Sequence, residues 1–182
     1  MILKELRIKN FISHKNTHIK FGPGITLIVG PNGAGKSSIL DAISFALFRE
    51  TDRGNLDDLI NRRSSHMEVT LRFLVDDAEY MITRRKTKGK PVENAFYKIE
   101  NGTPRILARQ HEDVLKAIEK IVGLNKELFL SGVYIKQGEI AALLEKGKTA
   151  ERKKLMARLL GIDTFEKAYS NMKDVVKHFE KI

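Results

Sequence analysis

Apolar and polar positions alternate along residues 3–9, with Leu6 and Ile8 on one side and Arg7 and Lys9 on the other. That two-residue period is the pattern of a strand with one buried face. The alternation resumes over residues 18–21 after a polar turn, so the chain is predicted to open with an antiparallel pair. Gly22-Pro23-Gly24 makes a turn, and Ile25-Thr26-Leu27-Ile28-Val29 is then nearly all apolar and rich in β-branched residues. Such a run predicts a buried central strand. Residues 30–35 hold three glycines and a proline, which forbids regular structure. Helical spacing returns over 36–48, with Ile39, Leu40, Ile43 and Leu47 on one face.

Further along, strand-like runs at 69–75 and 80–83 flank Asp76-Asp77, and runs at 95–99 and 106–107 flank Asn101-Gly102, a strong hairpin turn. Residues 111–122 are predicted helical, with Val114, Leu115, Ile118, Ile121 and Val122 apolar and Gly123 placed to end the helix. The tail is the most regular stretch. Residues 148–160 have helical character, Gly161 interrupts them, and Asp163 with Glu166 forms a capping box for a new helix. Phe165, Tyr169, Met172, Val176 and Phe179 then recur at steps of four, three, four and three. This is the heptad spacing that winds helices together, and it also suits an amphipathic helix packed on its own domain. The seam still runs at Ile182, so a longer coiled coil is expected.

Composition narrows the class. Hydrophobic residues make up 42% of the 182, enough to bury a core. Thirty-three Lys and Arg against 23 acidic residues give a formal net charge of +10, which calls for a polyanionic partner or for an acidic region elsewhere. There is no cysteine, so disulfides and thiolate metal sites are excluded within these residues. No apolar run approaches the roughly 20 residues of a membrane span, and the N-terminus has no basic segment leading into an apolar one. A cytoplasmic protein with no membrane partner is expected.

The chemistry concentrates after the 25–29 run. Gly30-Pro31-Asn32-Gly33-Ala34-Gly35-Lys36-Ser37 fits G-x-x-x-x-G-K-[ST], with Ser38 following. Glycines let consecutive backbone N–H groups turn inward and cradle an anion. A helix starting near Lys36 adds the positive end of its dipole. The Lys36 ammonium is placed for the β- and γ-phosphates of ATP, and the Ser37 hydroxyl for Mg²⁺. An apolar strand before the loop and an amphipathic helix after it are the context that this motif requires.

A phosphate loop alone does not hydrolyse ATP. An acidic residue on a neighbouring strand and a group that activates water are also needed. Phe73-Leu74-Val75-Asp76-Asp77 superficially offers the first, but its two carboxylates lie between two strand-like runs, where a solvated turn is the simpler reading. Leu130-Ser131-Gly132-Val133 resembles the start of a transporter-type signature in the wrong order, and a helix end entering a strand accounts for it. Asn125-Lys126-Glu127-Leu128 falls short of the N-K-x-D motif of a GTPase.

With these residues in hand, the chain resembles the N-terminal ATPase lobe of the SbcC-type double-strand-break repair ATPases, relatives of the SMC proteins. Three blocks carry the likeness: Asn10-Phe11-Ile12-Ser13-His14, the 30–38 loop with Asp41 in the following helix, and Val133-Tyr134-Ile135-Lys136-Gln137-Gly138-Glu139-Ile140, which is similar to the family's Q-loop. The resemblance implies an α/β fold: the N-terminal lobe of an ABC-type P-loop ATPase, with a mixed sheet carrying an antiparallel part and flanking helices, followed by a coiled-coil helix. Residues 1–147 would form that lobe, and residues 148–182 would lead into the coil.

The same resemblance implies roles. Asn32, Gly33, Ala34, Gly35, Lys36, Ser37 and Ser38 would hold ATP, and Ser37 and Gln137 would coordinate Mg²⁺. Ser13 and the loop Asn61-Arg62-Arg63-Ser64 would lie near the base or the phosphates; the arginines suit anions and equally suit a solvated loop. At Ile12 the chain departs from many members, which carry arginine there. No catalytic residue is assigned within the chain. The Walker B aspartate, catalytic glutamate and signature motif would lie in a C-terminal lobe of the same protein, beyond a long coiled coil. This chain alone would then be nearly inactive. Implied partners are that lobe, a second head in a homodimer, double-stranded DNA, and a repair nuclease docking near the coil base. Zinc would belong only to the family's hook at the coil apex, absent from this chain. Rival readings are a chromosome-organising SMC protein, a RecF-like recombination protein, a free-standing P-loop kinase or GTPase, and a coiled-coil module with a vestigial loop.

Overall fold

The computed structural model describes residues 1–51, 54–133 and 172. The chain divides into two compact units, Met1–Leu124 and Asn125–Ile182. Six strands dominate the first unit: β1 (Ile2–Phe11), β2 (His14–Lys20), β3 (His66–Val75), β4 (Ala78–Thr87), β5 (Val92–Glu100) and β6 (Thr103–Ala108). They form one sheet in the order β2-β1-β3-β4-β5-β6, and every neighbouring pair is antiparallel. The alternation in the sequence sets the register. Leu6 pairs with Leu71, Leu71 with Ile82 and Ile82 with Phe96, so one row of apolar side chains crosses four strands on a single face.

Two helices cover that face. Helix α1 (Lys36–Phe48) lies against β1, β3 and β4, and α2 (His111–Val122) against β5 and β6. The core joins Leu6, Ile8, Phe11, Val69, Leu71 and Phe73 of the sheet to Ile39, Ala42, Phe45 and Leu47 of α1 and to Val114 and Ile118 of α2. Phe11 meets Phe45 with ring centroids 5.8 Å apart. Phe73, Tyr80 and Phe96 stack on one another at 5.8–6.3 Å. Helix α2 stops where expected, with Gly123 in the left-handed conformation (φ 72) and its N–H on the Glu119 carbonyl. Helix α1 is less amphipathic than predicted. Ser38, Ala42, Ser44 and Ala46 are buried along with its larger residues, whereas Leu40 is 42% exposed.

The hairpin turns follow their chemistry. Asn101 and Gly102 both have positive φ (52 and 78), as a two-residue turn between β5 and β6 requires. Asp76 and Asp77 also have positive φ (46 and 63) between β3 and β4, and both are exposed. They form the turn that the spacing indicated.

One expectation is corrected. Residues 25–29 are not a strand of the sheet: no pairing forms there, and Ile25, Leu27 and Val29 are 100%, 82% and 78% exposed. An apolar run reports that a segment needs cover, and among the described residues no strand lies beside this one to supply it. Ser131 and Gly132 have backbones in a wide helical turn, Phe129–Val133, and the strand expected after them lies outside the described residues. That turn continues from a short helix, Lys126–Leu128, capped by Asn125, whose side-chain oxygen accepts from the Leu128 N–H at 2.8 Å. Asn125 and Lys126 thus start a helix. The Q-loop block from Tyr134 onward and the heptad helix lie outside the described residues, except Met172, where the backbone is helical and the side chain 68% exposed.

Candidate functional site

The phosphate loop leads directly into α1. Pro31 accepts from the Ala34 N–H at 3.3 Å, which curls the chain back on itself. Gly33 and Gly35 take positive φ (80 and 92), and Gly35 is the residue from which α1 starts. Asn32, Gly33, Ala34 and Ser37 are exposed, so the loop presents its backbone to solvent. The first N–H groups of α1 have no intrahelical acceptor and carry the positive end of the helix dipole. Lys36 folds back over the loop, its ammonium donating to the Gly30 and Pro31 carbonyls at 2.8 Å each. An anion in the loop would compete with those two carbonyls for the three ammonium protons. Ser38 is 4% exposed, while Ser37 on the same turn is exposed.

The β1–β2 hairpin abuts this loop. At Gly35 a Cβ atom would lie 2.5 Å from Ser13 Oγ and 2.9 Å from His14 Nε2. Glycine is therefore required twice there, by its φ and by the approach of two side chains. Ser13, expected near the nucleotide, is thus brought against the loop. His14 spans the gap between hairpin and loop. Its Nε2 lies 3.1 Å from the Gly35 carbonyl and its Nδ1 2.9 Å from Thr17 Oγ1. A carbonyl only accepts, so the proton sits on Nε2.

A second loop is fastened to the same hairpin. Ile12 has φ 51, a costly conformation for a β-branched residue. It is held from both sides: its N–H donates to the Leu59 carbonyl at 2.7 Å, and its own carbonyl accepts from Asn61 Nδ2 at 2.7 Å. The Asn61 N–H donates to the Asn10 carbonyl at 2.8 Å, and the Asn61 side-chain oxygen accepts from the Arg63 N–H at 3.2 Å. Asn61 therefore ties the 61–64 loop to the hairpin that carries Ser13. Arg62 and Arg63 are exposed on that loop and Ser64 is half-buried. Gln137 lies outside the described residues.

Sequence reasoning missed three groups. His14 was in a quoted block, but its role depends on the hairpin meeting the loop. Asn61 was in the quoted loop, where its value is as a clamp. Arg84 had no sequence signature at all. It is fully buried on β4 behind α1, where Nε donates to the Ala46 carbonyl at 2.7 Å and Nη2 to the Leu47 carbonyl at 2.9 Å. Nη1 reaches the Asn94 side-chain oxygen and lies 3.4 Å from His111 Nδ1. Burial, with Arg49 nearby, pushes the guanidinium down to about 9, so it remains charged at neutral pH. It caps the carbonyl end of the helix whose other end is the phosphate loop.

The residues present suit a bound nucleoside triphosphate. The loop offers a glycine-lined cradle that a Cβ at Gly35 would disrupt, a lysine ammonium above it and a hydroxyl on the first helical turn. Among the described residues there is no cluster of three His, Asp or Glu side chains able to hold a metal. Magnesium at this site would lean on the phosphates and on Ser37.

Comparison with known proteins gives the family of the chain. An AAA domain family model matches residues 5–182. A DNA double-strand break repair Rad50 ATPase of Methanocaldococcus jannaschii is 43% identical over 181 residues, 100% of this chain and 17% of the relative. The Rad50 ATPase of Thermoplasma volcanium is 39% identical over 178 residues, 97% of this chain and 20% of the relative. The chain thus spans about a fifth of the length of the curated relatives it matches. A solved structure from work on ATP-driven dimerisation and DNA-stimulated activation of SMC ATPases superposes with a TM-score of 0.65 at 27% identity, covering 87% of this chain and 99% of that one. The chain accordingly belongs to the AAA domain family and is a homologue of the Rad50 DNA double-strand-break repair ATPases, with an SMC-type ATPase head fold.

Proposed function

We propose that the chain is the ATP-binding half of a DNA double-strand-break repair ATPase. In this reading Asn32 to Ser38 hold the triphosphate, Lys36 neutralises it, and Ser37 coordinates Mg²⁺ together with Gln137. Ser13 sits beside the loop, and Arg62, Arg63 and Ser64 extend from the clamp at Asn61 toward the same nucleotide. Mg²⁺ supplies charge neutralisation of the phosphates, and the chain's own residues bind and orient them.

One observation carries the choice of half a head over a free-standing enzyme. The segment leading straight into the phosphate loop is apolar and bare, with Ile25, Leu27 and Val29 all more than three-quarters exposed. A self-sufficient nucleotide-binding fold buries this strand at its centre. The proposed cover is the C-terminal lobe of the same protein, which would also bring the Walker B aspartate, the catalytic glutamate and the signature motif. Alone, the chain should bind ATP and turn it over negligibly.

The rest of the reading extends the family's properties. Two heads would close on two ATP molecules, clamp double-stranded DNA and, on hydrolysis, admit a nuclease docked near the base of the coil. A coil begun by residues 148–182 would carry its zinc hook elsewhere in the protein. The net charge of +10 supports a DNA partner, whose binding should weaken steeply with salt. No helix among the described residues is long and apolar enough to cross a membrane, and a cytoplasmic, nucleoid-associated location is proposed.

The deciding experiment is steady-state ATP turnover by the chain alone and after addition of the C-terminal segment of the same gene product. Negligible turnover that rises on mixing supports a split site. Full turnover by the chain alone would overturn it. Loss of nucleotide binding in Lys36→Ala, with the fold retained, is expected alongside.

A further inference from the structure

Gly35 is the N-cap of α1, so the peptide plane joining it to Lys36 carries a carbonyl that accepts the first backbone hydrogen bond of the helix and can accept a second from a side chain. The plane matters because the Lys36 N–H opens α1, has no acceptor within the helix, and is one of the donors the phosphate cradle depends on. In a planar trans peptide the C=O and the following N–H point in opposite directions. Whatever holds the Gly35 carbonyl therefore also aims the Lys36 N–H. His14 Nε2 is 3.1 Å from that carbonyl. The imidazole is itself held by Thr17 Oγ1 at 2.9 Å, inside the β1–β2 hairpin. Ser13 Oγ fills the space beside Gly35, 2.5 Å from where a Cβ would stand, so the plane is packed as well as hydrogen-bonded.

We propose that His14 is a positioning residue for nucleotide binding: as a second donor to the Gly35 carbonyl, beside the first bond of α1, it steadies the Gly35–Lys36 peptide with the Lys36 N–H directed away from the hairpin, toward bound phosphate. The side chain does not touch the nucleotide, and its effect passes wholly through the backbone. The proposal rests on the reading of the 30–38 loop as the ATP site. It makes the β1–β2 hairpin part of the nucleotide machinery by way of a contact.

The test has two readouts on the full chain: the ¹H–¹⁵N resonance of the Lys36 amide without nucleotide, and the affinity for Mg·ATP. His14→Ala is expected to move the Lys36 amide resonance and to weaken Mg·ATP by about 3- to 10-fold, the equivalent of one ordinary hydrogen bond. His14→Gln keeps a side-chain N–H within reach and should recover most of both. Thr17→Val, which frees the ring without removing it, should move the same amide and weaken binding less; it carries the test if His14→Ala does not fold. An unmoved Lys36 amide, an affinity kept within about twofold, or no recovery with glutamine would overturn the role of His14. So would a lowered melting temperature with unchanged affinity, since that marks a purely structural residue. Lys36→Ala separates the two levels. If it abolishes binding while His14→Ala does not weaken it, only the positioning role fails; if Lys36→Ala binds normally, the ATP site itself is misassigned.

Discussion

Two glycines of the phosphate loop offer a controlled comparison, because they share a backbone conformation and differ in surroundings. Gly33 has φ 80 with nothing within 4 Å of an added Cβ. Gly35 has φ 92, and its Cβ would stand 2.5 Å from Ser13 Oγ and 2.9 Å from His14 Nε2. Alanine at either site meets the left-handed penalty of about 1–2 kcal/mol. Each also gains about 0.4–1 kcal/mol from a less flexible unfolded chain. For Gly33→Ala the net cost is about 0.5–1 kcal/mol. Gly35→Ala adds crowding against a serine that can rotate and an imidazole fastened at both nitrogens, about 1–3 kcal/mol more. With a urea dependence of about 2 kcal/mol per molar, the unfolding midpoint of Gly35→Ala should fall about 1 M below that of Gly33→Ala. Mg·ATP affinity should follow the same order, with Gly35→Ala weakened more than Gly33→Ala. Equal midpoints together with equal affinities would refute the reasoning, since they would mean that the hairpin does not press on the loop.

Three further outcomes are expected. Arg84→Met removes the donors to the Ala46 and Leu47 carbonyls at the end of α1; it should destabilise the chain by about 2–4 kcal/mol in urea unfolding, and Arg84→Lys should restore little, lacking the planar fork. Asn at both Asp76 and Asp77 should leave ATP turnover by the assembled head unchanged and the fold intact, because the pair forms an exposed turn; a large loss of turnover would return them to candidacy as metal ligands. Glu5 sits among Arg7 at 2.6 Å, His18 at 2.5 Å and Arg72 at 3.4 Å. Burial acts to raise its carboxyl, but the hydrogen bonds and charges of Arg7 and His18 outweigh it and hold the group below the ordinary 4.5. A carboxyl lowered on folding stabilises above its unfolded value and loses that contribution as the pH falls through the folded one. The melting-temperature gap between the parent and Glu5→Gln should therefore be wide at pH 7 and narrow well below pH 4.5. A gap that is constant with pH would show that the pairing contributes nothing.

The local parts of this protein were legible in its sequence because their causes are local. Alternation fixed which face of β1, β3 and β4 is buried. Asn101-Gly102 and Asp76-Asp77 made turns because their side chains tolerate positive φ, and Gly123 ended α2 for the same reason. The phosphate loop was readable because its glycines, lysine and serine act within nine consecutive residues. What could not be read were relations between distant segments. Residues 25–29 announced a need for burial without naming a partner, and the partner is not among the described strands. His14 and Gly35 are 21 positions apart, Ile12 and Asn61 are 49 apart, and Arg84 reaches carbonyls 37 and 38 positions away. Spacing set the local elements and the anion chemistry, and the family resemblance carried the fold class. Only the tertiary structure decided which carbonyl each polar side chain would hold, because a hydrogen bond depends on positions in space that the whole sheet must first define.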